Sequence, residues 1–300
     1  MSAAGHLRRG SFVGRAMGTE VTVSVVGGRA GAAEAGFGQI LELEALWSRF
    51  RPDSELSQLN RSAGRPMVVS AETAALVEHM VWANGATAGL FDPTVGAALI
   101  ASGYDRDFAE IAPVRRSTAV PVEPVVAGCG DITVGADLDL VQMPPGVTLD
   151  PGGLGKGFAA DLVASRLVDE GARSALVDIG GDIRVAGERS EELAWVIATE
   201  VPSDSGDRCA NGSPLSLTDG GVATSSTLVR RWSNGADEVN HVIDPRTGVC
   251  LQRDATVRVV AGAAWWAEVV ATALLVDPDE ARAVPGLLES VDYEIWRRDV

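Results

Sequence analysis

Val147-Thr148-Leu149-Asp150-Pro151-Gly152-Gly153-Leu154-Gly155-Lys156-Gly157-Phe158-Ala159-Ala160-Asp161 is the stretch on which the reading of the fold turns. Its apolar, partly β-branched start predicts a strand over residues 147–150. Pro151-Gly152-Gly153 interrupts it, and from 158 to 170 apolar residues recur at helical spacing. Four glycines at this strand-to-helix junction let the backbone approach an anion, and the start of the helix supplies free N–H groups. The spacing fits neither G-x-x-x-x-G-K-[ST] nor G-x-G-x-x-G. On the residues alone the junction is either an anion-binding loop or a tight turn.

Outward from this point the chain alternates irregularly between strand and helix patterns. Val21, Val23 and Val25 alternate with polar residues and predict a half-buried strand over 20–26. Phe37, Ile40, Leu41 and Ala45 predict an amphipathic helix over 31–47, and Pro52-Asp53-Ser54 a turn into a short helix ending near Asn60. A helix over 71–88 buries Leu76, Val77 and Met80, carries His79 in a structural role and stops before Gly89. Residues 105–139 read as loops and short strands. Strands follow at 174–179, 195–198, 220–225 and 256–260, and a helix at 265–276. No repeat or low-complexity linker divides the chain. The mixture is α+β.

The 300 residues suffice for a sizeable core, and 46 % apolar with 22 % charged residues is the composition of a globular protein. The net charge of −16, with scattered arginine pairs and few aromatics, excludes a nucleic-acid footprint. Three cysteines without a C-x-x-C pair exclude a disulfide framework and a thiolate zinc site. No apolar run reaches the ~20 residues of a membrane span, so membrane insertion is not expected. Arg8–Arg9 is not followed by an apolar stretch, so no export signal is read and a cytoplasmic protein is expected. The basic residues are 24 Arg and a single Lys, and that lysine, Lys156, lies in the glycine-rich loop.

Three further places carry candidate chemistry. His241 precedes Ile243-Asp244-Pro245-Arg246-Thr247-Gly248; a histidine held against Asp244 acts as a base or orients a phosphate, unless the segment is only a capped hairpin. Glu268 and Thr272 share one face of an otherwise apolar helix, where burial demands a partner such as a hard cation, unless the glutamate meets solvent at a helix end. Gly180-Gly181-Asp182 after a buried strand fits a nucleotide contact or a hairpin turn.

Taken in order, Met17-Gly18-Thr19, Asp53 to Asn60, Phe91-Asp92-Pro93-Thr94-Val95-Gly96, Asp150 to Gly157, Gly180-Gly181-Asp182, His241 to Gly248 and Ala267 to Ala273 closely resemble the ApbE family of FAD:protein FMN transferases. The resemblance spans residues 17–276. It implies an α+β, T-fold-like architecture of mixed sheets with flanking helices in two closely packed subdomains. A flexible start (1–16) and a C-terminal extension packing on the domain (277–300) complete the expectation. It further implies that FAD is the substrate, meeting Met17, Phe50, Leu90, Phe91, Asp92, Gly152, Phe158, Asp182 and Ile243. Mg²⁺ would be held by the Gly155 main-chain oxygen, the Glu268 carboxylate and the Thr272 hydroxyl. His241, with Asp244 as orienter, would serve the transfer of FMN to a Ser/Thr hydroxyl of an acceptor protein. The family usually has Asp where this chain has Glu268, and an additional Asp of some members falls at Ala271. An acid replaces Lys156 in some members, which makes the lysine an electrostatic support rather than the catalyst. An Mg²⁺-dependent FAD pyrophosphatase and a non-catalytic FAD-binding module are the alternative readings.

Overall fold

The computed structural model describes residues 9–111, 126–135, 138–198, 201–202, 208–209, 214–234 and 237–297. Arg8 and parts of the 105–139 region, named above, lie outside these residues.

The core is an antiparallel sheet of seven strands. In chain order these are β1 (Arg9–Ala16), β2 (Thr19–Gly27), β3 (Ala172–Ile179), β4 (Asp182–Gly187), β5 (Gly220–Ser226), β6 (Ala255–Ala261) and β7 (Asp292–Arg297), and they lie side by side in that same order. Helices α1 (Ala32–Trp47), α2 (Glu55–Asn60), α3 (Ala71–Ala86), α4 (Gly155–Asp169) and α5 (Ala264–Val276) accompany it. The valines at 21, 23 and 25 face α1 and α4, where Ile40, Leu43, Val163 and Leu167 close over them. On the other sheet face, Val185 and Val222 are covered by Trp195, Leu215 and Leu217 of a small two-stranded ladder. Helices gathered on one face of an antiparallel sheet make an α+β domain. A smaller cluster built from Leu99, Tyr104, Ile111, Trp232, Ile243 and Cys250 stands apart from this body.

Four expectations change. The start of the chain is not flexible as far as Ala16: residues 9–16 pair with β2, from Arg9↔Val26 to Ala16↔Thr19. The turn between them is Met17-Gly18, both at positive φ (51° and 72°), the geometry a two-residue hairpin requires. Glycines and arginines in 9–16 obscure the alternation that an edge strand would otherwise show. The C-terminal residues do more than pack on the domain, since β7 pairs with β6 from Ala255↔Arg297 to Val260↔Asp292 and completes the sheet. Helix α4 begins at Gly155 rather than Phe158, so Lys156 sits in its first turn.

Residues 147–150, expected as a strand, have extended neighbours but no ladder. The side-chain amide of Asn60 takes the place of a partner strand. It accepts from the Leu149 N–H (2.8 Å) and donates to the Leu149 carbonyl (3.0 Å). The Asp150 N–H donates to the Pro93 carbonyl (2.8 Å), and the Gly96 N–H to that of Thr148 (3.2 Å). A segment whose backbone groups are met one by one in this way runs extended without belonging to a sheet.

Candidate active site

The glycine-rich junction opens on a cleft of about 400 Å³ between the sheet-and-helix body and the smaller cluster. The body contributes the Met17-Gly18 turn, residues 150–153, Gly155, Lys156, Ser225 and Thr272; the smaller cluster contributes Leu99, Tyr104, Phe108 and Ile243. Of the residues expected at the site, Met17, Phe50, Leu90, Phe91, Asp92, Gly152, Gly155, His241, Ile243 and Thr272 line this cleft. They arrive from six separate segments.

The wall is held in place by local bonds. Met17 is kept in its left-handed conformation by donating its N–H to Glu44 Oε1 (2.7 Å). Asp92 accepts from the Thr94 N–H (2.8 Å) and hydroxyl (2.6 Å), which caps the short helix that follows. Gly152 donates to Asp150 Oδ1 (2.7 Å), and a Cβ at Gly152 would fall 2.6 Å from that same oxygen, so the turn admits no side chain there. Gly157 is equally constrained: a Cβ would lie 2.6 Å from the Ala264 carbonyl, because the start of α4 rests on the start of α5.

Four expected site residues lie behind the wall. Phe158 is 5 % exposed and belongs to the core, where its ring meets Trp47 (5.8 Å between centroids) and His79 (4.4 Å). With about 3.6 residues per turn, the start of α4 presents Gly155 and Lys156 to the cleft and turns Phe158 into the core. Asp182 is buried beneath the cleft; Gly180 and Gly181, both at positive φ, form the β3–β4 hairpin turn, the plainer of the two sequence readings. Its carboxylate pairs with Lys156. Glu268, 2 % exposed, accepts from Lys156 Nζ (2.9 Å) through one oxygen and from the Gly157 N–H (2.9 Å) through the other. Asp244 turns away from His241 and pairs with Arg246, accepting from its backbone N–H (3.0 Å) and guanidinium (2.8 and 3.0 Å). That guanidinium holds the Asp244 carboxyl below its ordinary range.

The segment carrying His241 is instead fixed by Asn240, which is buried, accepts from the Val242 N–H (2.9 Å) and donates to the Leu251 carbonyl (2.7 Å). His241 Nδ1 is sealed from solvent and has no hydrogen-bond partner among the described residues. Burial, followed by the Arg230 guanidinium, pushes the His241 pKa down to about 3, against a hydrogen bond with the Arg230 backbone. The imidazole is therefore neutral at physiological pH. An anion bound beside it offsets the Arg230 charge and raises its basicity.

Whether the proposed donors suit a hard cation is decided by their chemistry and place. The Gly155 carbonyl, the Glu268 carboxylate and the Thr272 hydroxyl are all oxygen donors, as Mg²⁺ requires. Glu268 lies against the first turn of α4, which Gly155 opens, and a Cβ at Gly153 would come within 3.3 Å of Thr272 Oγ1. Ser225 Oγ is 3.5 Å from that hydroxyl. Each Glu268 oxygen keeps a second lone pair beside the bond it already accepts. The residues fit, although they do not form a cluster of three or more acidic, His or Cys side chains, and no such cluster occurs among the described residues.

Sequence reading passed over Arg49, Tyr104, Ser225 and Arg230 as site residues. The only sign of Arg49 was its position before Phe50; the others are brought to the cleft by chain reversals that carry no local pattern.

The family model for ApbE matches residues 17–291. This chain belongs to the ApbE family. Among curated relatives, an FAD:protein FMN transferase of Haemophilus influenzae is 29 % identical over 271 residues, covering 86 % of this chain and 76 % of the relative. One of Treponema pallidum is 30 % identical over 259 residues, covering 82 % and 71 %. The fold matches the ApbE protein of Thermotoga maritima with a TM-score of 0.81 at 23 % identity over 97 % of both chains. It matches flavin transferase ApbE of Vibrio cholerae with a TM-score of 0.77 at 24 % identity, over 98 % of this chain and 94 % of that one. The ApbE-like α+β fold is thereby shown. Among the described residues no helix is long and apolar enough to cross a membrane.

Proposed function

We propose that this chain transfers the FMN moiety of FAD to a Ser or Thr hydroxyl of an acceptor protein, releasing AMP. The observation that carries the reading is the meeting, in one cleft, of His241 with the glycine-lined start of α4 and the Thr272 hydroxyl. The ApbE relatives named FAD:protein FMN transferase support it.

In this reaction the acceptor oxygen bonds to the phosphorus on the FMN side of the pyrophosphate, and the bond from that phosphorus to the AMP oxygen breaks. A hydroxyl is a poor nucleophile and must lose its proton as it attacks. His241, neutral and lining the cleft, takes that proton. Asn240 holds the segment in place, and Asp244 braces the following turn through Arg246 without touching the imidazole. The Lys156 ammonium, which lines the cleft while it pairs with Asp182 and Glu268, supports the pyrophosphate charge electrostatically. Phe50, 36 % exposed, offers a flat face to a ring of FAD. Gly155, Glu268 and Thr272 would hold Mg²⁺, which when bound neutralises phosphate charge.

The test is incubation with FAD, Mg²⁺ and an acceptor domain presenting a Ser or Thr, scored as an acceptor mass gain equal to FMN. AMP release at the same rate without acceptor, and no mass gain, would replace transfer by hydrolysis. His241→Ala is expected to lower transfer by about 10²–10⁴-fold while FAD still binds; transfer at the wild-type rate would remove His241 from the reaction.

A further inference from the structure

One buried cation of the cleft has no part in the reaction above. Arg49 lines the cleft with a side chain only 7 % exposed. Its Nε pairs with Asp150, itself 9 % exposed, and Asp150 also accepts from the Gly152 N–H (2.7 Å). The guanidinium carbon lies 4.2 Å from the centroid of the Phe50 ring and 4.5 Å from that of Tyr104. The nitrogen Nη2 is buried and has no hydrogen-bond partner among the described residues. A guanidinium carries five N–H donors and no acceptor, and a buried donor left unmatched is costly.

We propose that Arg49 is a ligand-recognition residue, donating to an sp² oxygen or nitrogen on the edge of a flat ring of the bound dinucleotide. The proposal rests on the FAD reading and deepens it. Three observations direct Arg49 to a ring and not to phosphate. Its charge is already compensated by Asp150, whose carboxylate would repel a phosphate brought to the same place. Its guanidinium stands over the Phe50 and Tyr104 rings, which meet each other at 5.7 Å between centroids, and such aromatic surroundings are those in which a further flat ring stacks. The unmatched Nη2 needs an acceptor that this surrounding does not contain. Adenine and the flavin ring both carry such acceptors.

The experiment compares Arg49→Lys with the charge-balanced pair Arg49→Met/Asp150→Asn. Lysine keeps a cation for Asp150 and loses the planar fork; the double variant removes both charges together and remains informative if the lysine variant does not fold. Binding of FAD is followed by flavin fluorescence, and binding of AMP, FMN and inorganic pyrophosphate by calorimetry, on proteins whose circular dichroism matches wild type. The expected result is FAD affinity weakened about tenfold or more, with the same loss on one ring-bearing fragment alone and pyrophosphate changed less than about twofold. The fragment that loses affinity names the ring. An unchanged FAD Kd in a folded variant overturns the proposal, as does an equal loss on AMP, FMN and pyrophosphate. Wild-type protein that binds no FAD refutes the functional reading and this proposal with it; FAD binding that survives the Arg49 variants refutes the proposal alone.

Discussion

Asn60→Ala is expected to be among the most destabilising changes outside the apolar core, although Asn60 is itself a half-buried polar residue at the end of a six-residue helix. The reason is what its amide does for Leu149. Leu149 is fully buried, and the Asn60 side chain meets both its N–H (2.8 Å) and its carbonyl (3.0 Å). Alanine leaves one buried donor and one buried acceptor unmatched, each worth about 1–3 kcal/mol. Some of this is recovered if water enters the gap, so a loss of about 3 kcal/mol is expected, or a fall in Tm of roughly 5–10 °C. The assay is urea unfolding followed by circular dichroism and tryptophan fluorescence, with Asn60→Asp as comparison. Aspartate keeps an acceptor for the Leu149 N–H and lacks the donor for its carbonyl, so it should fall between alanine and wild type. Because Leu149 leads directly into Asp150 and Gly152 of the cleft, FAD affinity should weaken along with stability. If Asn60→Ala unfolds within about 0.5 kcal/mol of wild type, the side-chain amide is not the surrogate strand argued for here.

Three further outcomes are expected. Phe158→Ala should cost about 3–5 kcal/mol in urea unfolding, as a core aromatic does, with FAD affinity changed far less than stability; a selective loss of FAD binding would return Phe158 to the ligand. Lys156→Met leaves Asp182 (side chain 4 % exposed) and Glu268 (3 %) without their shared cation. Unfolding should then show a loss of about 3–5 kcal/mol, and unchanged stability would mean the two carboxylates do not depend on the lysine. Asp161 is raised to about 6 chiefly by burial, opposed by the N–H groups of Trp265 and Ala264 and by Arg184. Its folded pKa exceeds its unfolded one, so the stability it contributes is full below about pH 4 and is lost as pH rises through 6. Wild-type stability measured relative to Asp161→Asn should therefore fall between pH 4 and 6, and a flat difference would contradict the assignment.

Periodicity located most of the body. The valines at 21, 23 and 25, Ile40 of α1 and the apolar rows of α3, α4 and α5 bury where their spacing places them, because a strand or helix with one apolar face has one way to hide it; Leu41, counted in the α1 row, is 43 % exposed, and Leu43 and Trp47 take the inner face instead. The misreadings have equally local causes. Residues 9–16 alternate between exposed and half-buried positions at the sheet edge, but their glycines and arginines hide that alternation in the sequence, and residues 147–150 have the composition of a strand but find a side chain in place of a neighbour. At the site, the glycines and His241 were legible because their chemistry is unusual wherever they occur. The inward turn of Phe158, Asp182 and Glu268 was not, since a motif position specifies a residue type without saying which side of the wall it occupies.

The single lysine shows the division most directly. From sequence alone, Lys156 marks a glycine-rich junction with the room and the amides for an anion, and the order of motifs around it specifies the family. Only the tertiary structure sets that ammonium between Asp182 and Glu268, residues 26 and 112 positions away along the chain. It likewise gives Asp244 to Arg246 and sets the Arg49 guanidinium over the Phe50 and Tyr104 rings. The physical reason is common to all three. Local spacing determines backbone conformation and which face is apolar, whereas the partner of a buried charge is chosen by desolvation among every group the fold brings within reach, and that choice leaves no trace in spacing.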